Sequence, residues 1–305
     1  MSEGARRAPS ASARLITPAL LRRWPLPEVS GVLGKKERGQ VLVVGGSEQV
    51  PGAVILAANA ALRAGAGTLQ IATGRSVAPY VATHVPEARV MGLSQMRSGE
   101  LSKSSCRAIH ADVERADAVL IGPGMFDGRA GMELIDHCLS GGTRALLIVD
   151  AAALTALRSK PRTRRKSAPR VIAMPHAGEM AKLWGITPEA VLEDPLALAR
   201  TVAQELGIIV ALKGAETFIA APDGRVFRNT AGNAGLGTSG SGDTLAGITA
   251  GLCARGADPF QATVWGVYLH AKAGEALARS VAPLGFLARE LPPEVPRLLA
   301  KLKPR

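Results

Sequence analysis

The sequence predicts an α/β fold, a mostly parallel central sheet with helices on both faces. Three observations carry that prediction. Short apolar runs rich in Val, Ile and Leu alternate with helix-like stretches along nearly the whole chain. A single pair of strand-like runs is joined by a hairpin turn, Pro222-Asp223-Gly224. The runs end in small, charged or polar residues, as they should where strand ends line one rim of an aliphatic sheet.

The first strand is 41–44, a buried-type run closed by Gly45-Gly46-Ser47. Pro51 suits a first helical turn, and 53–63 reads as a helix that stops at Gly65. Strands at 68–72 and 88–91 flank a helix near 77–83, and further strands fall at 118–121, 145–149, 171–173 and 208–212. The residues 151–157 read as a helix for which Asp150 is a candidate N-cap. The hairpin pairs 217–220 with 225–227, and helices follow from Asp243 to about 253, over 259–280 and over 286–302. Residues 1–38 read as a basic N-terminal arm and 39–305 as one domain.

Composition narrows the function classes. The chain has 305 residues, 47% hydrophobic but only 3% aromatic, so the core is aliphatic. No unbroken apolar run reaches the roughly 18 residues of a membrane span, and the N-terminus lacks the apolar stretch of a secretory signal. Cys106, Cys138 and Cys253 are far apart and odd in number, which fits buried reduced thiols in a cytoplasmic protein better than disulfides or zinc. The net charge of +12 is local. Residues 1–40 carry eight Lys/Arg against three Glu, residues 158–170 carry seven and no acid, and the remainder is neutral. A local excess with almost no aromatic stacking platform argues against nucleic-acid binding.

The candidate chemistry gathers at the predicted strand ends. The run Gly237-Thr-Ser-Gly-Ser-Gly-Asp243 opens a helix, so the backbone N–H groups near Gly240 and Gly242 form an anion hole. Asp243 beside a bound phosphate fits a base that deprotonates the attacking group, and equally fits a helix cap. Gly45-Gly46-Ser47, Gly122-Pro123-Gly124, Asp150, Pro175-His176-Ala177-Gly178-Glu179 and Lys213-Gly214-Ala215 mark the other strand ends. His176 is either a ligand contact or the cap of the next helix, with Glu179 in its first turn. Asp150 suits a hydroxyl or hydrated Mg²⁺, and Lys213 a phosphate.

Taken in order, these segments resemble the ADP-dependent NAD(P)H-hydrate dehydratases of the ribokinase-like superfamily. The runs that carry the resemblance are Gly39-Gln-Val-Leu-Val-Val-Gly-Gly-Ser47, Gly52-Ala53, Ala60-Ala-Leu-Arg-Ala-Gly-Ala-Gly67, Ile121-Gly-Pro-Gly124, Pro175-His-Ala-Gly-Glu-Met180, Leu212-Lys-Gly-Ala215, Asn229 to Asn233 and Gly240-Ser-Gly-Asp-Thr-Leu-Ala-Gly247. The resemblance implies dehydration of the S epimer of hydrated NADH or NADPH (NADHX, NADPHX) back to the working cofactor, coupled to hydrolysis of ADP to AMP and phosphate. It implies that Asp243 is the base, and that Ala53, Gly124, His176 and Asp243 contact the hydrated dinucleotide. It implies that Lys213, Gly214, Ala215, Glu216, Thr217, Gly240 and Gly242 hold the adenine nucleotide, with Mg²⁺ on its phosphates. A homotetramer and a separate epimerase protein are implied as well.

The chain departs from the pattern in two places on the dinucleotide side. Val50-Pro51 stands where the family often has an aromatic residue, and Ala177 where it tends to have proline. A small-molecule kinase of the same superfamily, of hydroxymethylpyrimidine or thiazole type, would share the Gly-x-Gly-Asp hole. The Gly52-Ala53 and His176…Glu179 segments favour the dehydratase.

Overall fold

The apolar runs assemble into one sheet. In the computed structural model, which describes residues 13–28, 34–126, 128–139, 143–159 and 170–303, it has ten strands. These are β1 (Arg14–Leu15), β2 (Gln40–Val44), β3 (Thr68–Gly74), β4 (Arg89–Leu93), β5 (Ala118–Ile121), β6 (Leu146–Val149), β7 (Val171–Ala173), β8 (Ile209–Leu212), β9 (Thr217–Ala220) and β10 (Val226–Asn229). Their order is β1-β10-β9-β8-β7-β6-β5-β2-β3-β4. Every pairing is parallel except those of β9, which runs against both β8 and β10. The mostly parallel α/β fold expected from the sequence is therefore the observed one.

Side-chain alternation along the central strands divides the core into two layers. Val41 and Val43 of β2 with Ala118 and Leu120 of β5 face one layer, built with the helices Gly52–Arg63, Ser241–Ala254 and Pro259–Ser280. Leu42, Val44, Val119 and Ile121 face the other, built with the helices Gly128–Leu139, Ala177–Trp184 and Pro195–Leu206. Both faces are covered, which explains why these strands are continuously apolar.

Within the first layer the helices Gly52–Arg63 and Ser241–Ala254 run side by side in the same direction at backbone contact. A Cβ on Gly247 would lie 2.1 Å from the Ala57 carbonyl oxygen, and one on Gly251 2.4 Å from that of Ala61. Buried Ala57, Ala61 and Ala64 face these glycines. Small residues on both surfaces are what permit this approach, and it brings two helix N-termini to the same rim.

The structure departs from the sequence reading in four places. Part of the predicted arm is built into the fold. Arg14–Leu15 pairs with Phe227 and Arg228 of β10, and the helix Pro18–Arg23 follows, capped where Thr17 Oγ1 accepts from the Leu20 N–H at 3.2 Å. Trp24 then stacks on Phe227, ring centroids 6.0 Å apart, and its carbonyl accepts from Trp265 Nε1 at 3.0 Å. Next, Ala151–Ser159 is a 3-10 helix, entered through Ala151 at φ 52°, a left-handed value costly for a residue with a Cβ. The third departure is that the anion-hole helix begins at Ser241, so Asp243 occupies its third position and Gly240 the cap. Lastly, the predicted helix 286–302 divides into the 3-10 turn Ala288–Glu290 and the helix Leu291–Leu302. Residues 1–12 and most of the basic segment 158–170 lie outside the described residues. Cys138 and Cys253 are buried and free. Among the described residues no helix is long and apolar enough to cross a membrane.

The helix contact yields a stability prediction. Gly247→Ala and Gly251→Ala should each destabilise the protein by about 2–4 kcal/mol in urea melts, because backbone must move to admit a methyl group. Gly52→Ala, whose Cβ would meet nothing within 4 Å, should be neutral within about 0.5 kcal/mol.

Candidate functional site

The strand order reverses at β2, whose neighbours are β5 on one side and β3 on the other, and ligands of such sheets bind at that reversal. Here the loops after β2 and β5 touch through glycines. The Gly46 N–H donates to the Pro123 carbonyl at 2.8 Å, and a Cβ on Gly45 would lie 2.1 Å from the same oxygen. Gly124, at φ +69°, leaves no room for a side chain: a Cβ there would come within 2.5 Å of the Val50 carbonyl oxygen and 3.1 Å of Ala53 Cβ. Ala53 and Gly124 are thus brought together at the crevice, as the sequence reading requires.

Lys213 organises the next stretch of the rim. It directly follows β8 and is tied to the β7 loop by its N–H, which donates to the Pro175 carbonyl at 2.8 Å. Its Nζ donates to Asp150 Oδ1 at 2.8 Å and stands 3.8 Å from Glu179 Oε2. Burial would lower the Lys213 pKa, but Asp150, Glu179 and Asp243 together hold it above its ordinary value. Asp150 is therefore an ion-pair partner, with its carboxylate turned to Lys213.

His176 is the N-cap of the helix Ala177–Trp184. Its Nδ1 accepts from the N–H groups of Gly178 at 3.0 Å and Glu179 at 3.4 Å, and Glu179 Oε2 accepts in return from the His176 N–H at 2.8 Å. This capping box holds with Ala177 in the first helical position. Because Nδ1 is an acceptor, the proton of the neutral ring is assigned to Nε2. The side chain is exposed, with Nε2 3.6 Å from Glu179 Oε1. Of the two roles read from the sequence, the cap is the one the structure describes.

The anion hole lies against this group. Gly240 adopts φ +84°, a left-handed value that favours glycine, and a Cβ there would also press on Leu56 Cδ1 at 2.3 Å. The Ser241 N–H is spent on the Thr238 carbonyl and that of Thr244 on Gly240. Among the described residues the amides of Gly242 and Asp243 have no acceptor, and they open the 14-residue helix Ser241–Ala254. A Cβ on Gly242 would stand 3.3 Å from Lys213 Nζ and 3.7 Å from Asp150 Oδ2. Burial and the neighbouring Asp150 push the Asp243 carboxyl up to about 7, against the pull of Lys213. A carboxylate so poised is a base near neutral pH.

Gly214, Ala215, Glu216 and Thr217 form the turn from β8 into β9 on the same rim. Glu216 faces away from the lysine cluster, its Oε2 3.4 Å from Arg228 Nη1. One feature escaped the sequence reading: Ser241 Oγ lies 3.0 Å from His270 Nε2, and both side chains are buried. The available signal was a single histidine within the apolar run 262–271.

The sheet order, with its crevice at the reversal point and a lysine beside a glycine-bounded helix N-terminus, is that of the ribokinase-like fold. A family model described as NAD(P)H-hydrate dehydratase matches residues 41–297. The ADP-dependent (S)-NAD(P)H-hydrate dehydratase of Xanthomonas campestris is 47% identical over 289 residues, covering 95% of this chain and 97% of that protein. A bifunctional NAD(P)H-hydrate repair enzyme of Moorella thermoacetica is 38% identical over 95% of this chain but 54% of its own length. The structure of the ADP/ATP-dependent NAD(P)H-hydrate dehydratase of Bacillus subtilis, co-crystallised with ATP and Mg²⁺, superposes with a TM-score of 0.82 at 30% identity, covering 96% of this chain and all of that one. The chain belongs to the NAD(P)H-hydrate dehydratase family.

The raised pKa of Asp243 is also a statement about stability. The folded state holds the proton up to about pH 7, whereas the unfolded chain releases it near 4, so this group lowers stability as pH rises between those values. Asp243→Asn should therefore be more stable than the wild type at pH 8, by about 2 kcal/mol, with the gap closing toward pH 4. Urea melts at the two pH values measure it; a gap that widens on acidification contradicts the assignment.

Proposed function

We propose that this protein dehydrates the S epimer of NADHX and NADPHX to NADH and NADPH while converting ADP to AMP and phosphate. The observation that carries the reading is Asp243, a half-buried acid in the first turn of the anion-hole helix beside Lys213, its carboxyl pushed up to about 7 by desolvation and Asp150.

Hydroxide is a poor leaving group, so the C6 hydroxyl of the hydrated ring is first phosphorylated. Asp243 takes its proton, the oxygen attacks the terminal phosphorus of ADP, and the bond from that phosphorus to the AMP oxygen breaks. The amides of Gly242 and Asp243 stabilise the transferring oxygens, and Lys213 neutralises charge as it develops. The ring nitrogen's lone pair then expels phosphate from C6, and loss of a proton from C5 restores the dihydropyridine. Ala53, Gly124 and His176 are assigned to the dinucleotide, His176 through its Nε2–H. Lys213 to Thr217, Gly240 and Gly242 are assigned to ADP.

Mg²⁺ is proposed as the phosphate counter-ion. No group of three His, Cys, Asp or Glu side chains able to hold a metal occurs among the described residues. The phosphate oxygens and water would thus hold most of the ion, since the rim carboxylates Asp150 and Glu179 are engaged with Lys213 and with the helix cap. A separate protein is proposed to interconvert the two hydrate epimers, and assembly as a homotetramer is proposed on family grounds.

Incubation with NADHX and ADP or ATP should restore the absorbance of the reduced nicotinamide; no recovery with either nucleotide refutes the dehydratase and leaves the small-molecule kinase reading. Asp243→Asn should lower kcat by about a thousandfold or more while ADP affinity stays within about threefold, since its role is at the acceptor.

A further inference from the structure

We propose that His270 is a positioning residue for phosphoryl transfer, acting through Ser241 to aim the anion hole; this rests on the dehydratase reading above. The sequence shows why a handle is needed. Gly240-Ser241-Gly242 places the only side chain of the turn between two glycines, and Gly240 is held at φ +84°. A Gly-x-Gly turn has little conformational preference of its own, yet catalysis demands donors fixed to within a few tenths of an ångström.

Ser241 is pinned from two sides. Its N–H donates to the Thr238 carbonyl at 3.2 Å, and its Oγ pairs with His270 Nε2 at 3.0 Å. The next peptide plane carries the Gly242 N–H, one of the two free donors of the hole. Anchoring Ser241 therefore sets the direction of that donor.

The anchor is rigid. His270 is 8% exposed on the 22-residue helix Pro259–Ser280, which packs against Ser241–Ala254 so closely that a Cβ on Gly266 would lie 2.6 Å from Thr249 Oγ1. Burial lowers the His270 pKa to about 4 against the opposing pull of a hydrogen bond to the Ser241 backbone, with Lys213 acting in the same direction as burial. The ring is thus neutral at working pH and adds no charge beside the phosphates. It offers one proton that either tautomer can place. With the proton on Nε2, His270 donates to Ser241 Oγ, and the serine hydroxyl keeps its proton and turns it to donate a hydrogen bond to a phosphoryl oxygen. No net proton moves, and an extra donor becomes available when the phosphate arrives.

The test compares His270→Leu, His270→Gln and Ser241→Ala for turnover, and for binding of AMP with and without aluminium fluoride as the phosphoryl mimic. Gln places an amide nitrogen near the original Nε2. We expect His270→Leu and Ser241→Ala to lower kcat about 30-fold with KM for ADP within about threefold. We expect both to lose most of the tightening of AMP binding by aluminium fluoride, and His270→Gln to retain both properties within about fivefold. Ser241→Ala removes so little volume that it reports even if the leucine variant does not fold. Unchanged tightening in Ser241→Ala, or glutamine as defective as leucine, overturns the proposal. Because the mimic needs no hydrated dinucleotide, that result is separate from a failure of wild-type turnover with NADHX, which would refute the dehydratase reading instead.

Discussion

The site depends on one packing constraint, the backbone contact between the helices Gly52–Arg63 and Ser241–Ala254. Gly247 and Gly251 remove the side chains that would hold the helices apart, and a row of alanines answers them. Because the helices run in the same direction, the contact places both N-termini at the carboxyl rim of the sheet. One end carries Ala53 beside Gly124, and the other carries Gly242 and Asp243 beside Lys213. Two positive helix ends facing one crevice form a field suited to phosphates. A contact deep in the apolar layer thus sets a distance that matters tens of atoms away.

The electrostatics of the rim follow from how few cations it contains. Lys213 answers to Asp150, Glu179 and Asp243 at once. Asp150 and Glu179 hold the two short ion-pair geometries, 2.8 Å and 3.8 Å. Asp243 is left the least compensated, which is why burial prevails and its pKa rises to about 7. Withholding a cation from Asp243 is therefore what raises its pKa, and in the proposed reaction an arriving phosphate that draws Lys213 toward itself would raise it further.

Much of this was legible in the sequence because its signals are local. Apolar runs, the Asp-Gly hairpin and the glycine clusters each report on their own few residues, and the strands, the hairpin and the rim followed from them. What was missed is non-local or too short. The strand Arg14–Leu15 has two residues, too few to show a period. The Asp150–Lys213 ion pair joins residues 63 apart, and Ser241–His270 joins residues 29 apart. Neither spacing has a periodic signature. The 3-10 form of 151–159 turns on Ala151 taking a left-handed φ, a conformation that composition does not announce. The capping reading of Asp243 failed for a related reason: the αL conformation of Gly240 starts the helix earlier and leaves the acid inside its first turn.

The fold enforces glycines on both halves of the rim, and it leaves two positions on the dinucleotide side free of such demands. Glycine is demanded at Gly240 and Gly124 by a left-handed φ, and backbone oxygens would lie 2.5 Å from a Cβ on Gly124 and 2.1 Å from one on Gly247. On the dinucleotide side, Val50 is partly exposed, and Ala177 is the first residue of a helix whose cap is made entirely by His176 and Glu179. Proline is not needed at that position to hold the turn, because the capping box already does so. An aromatic side chain before Gly52-Ala53 would likewise rest at the surface, with no interior contact depending on it. The fold therefore fixes the glycines that shape the crevice, while Val50 and Ala177 answer to no structural demand and are left to whatever they contact in it.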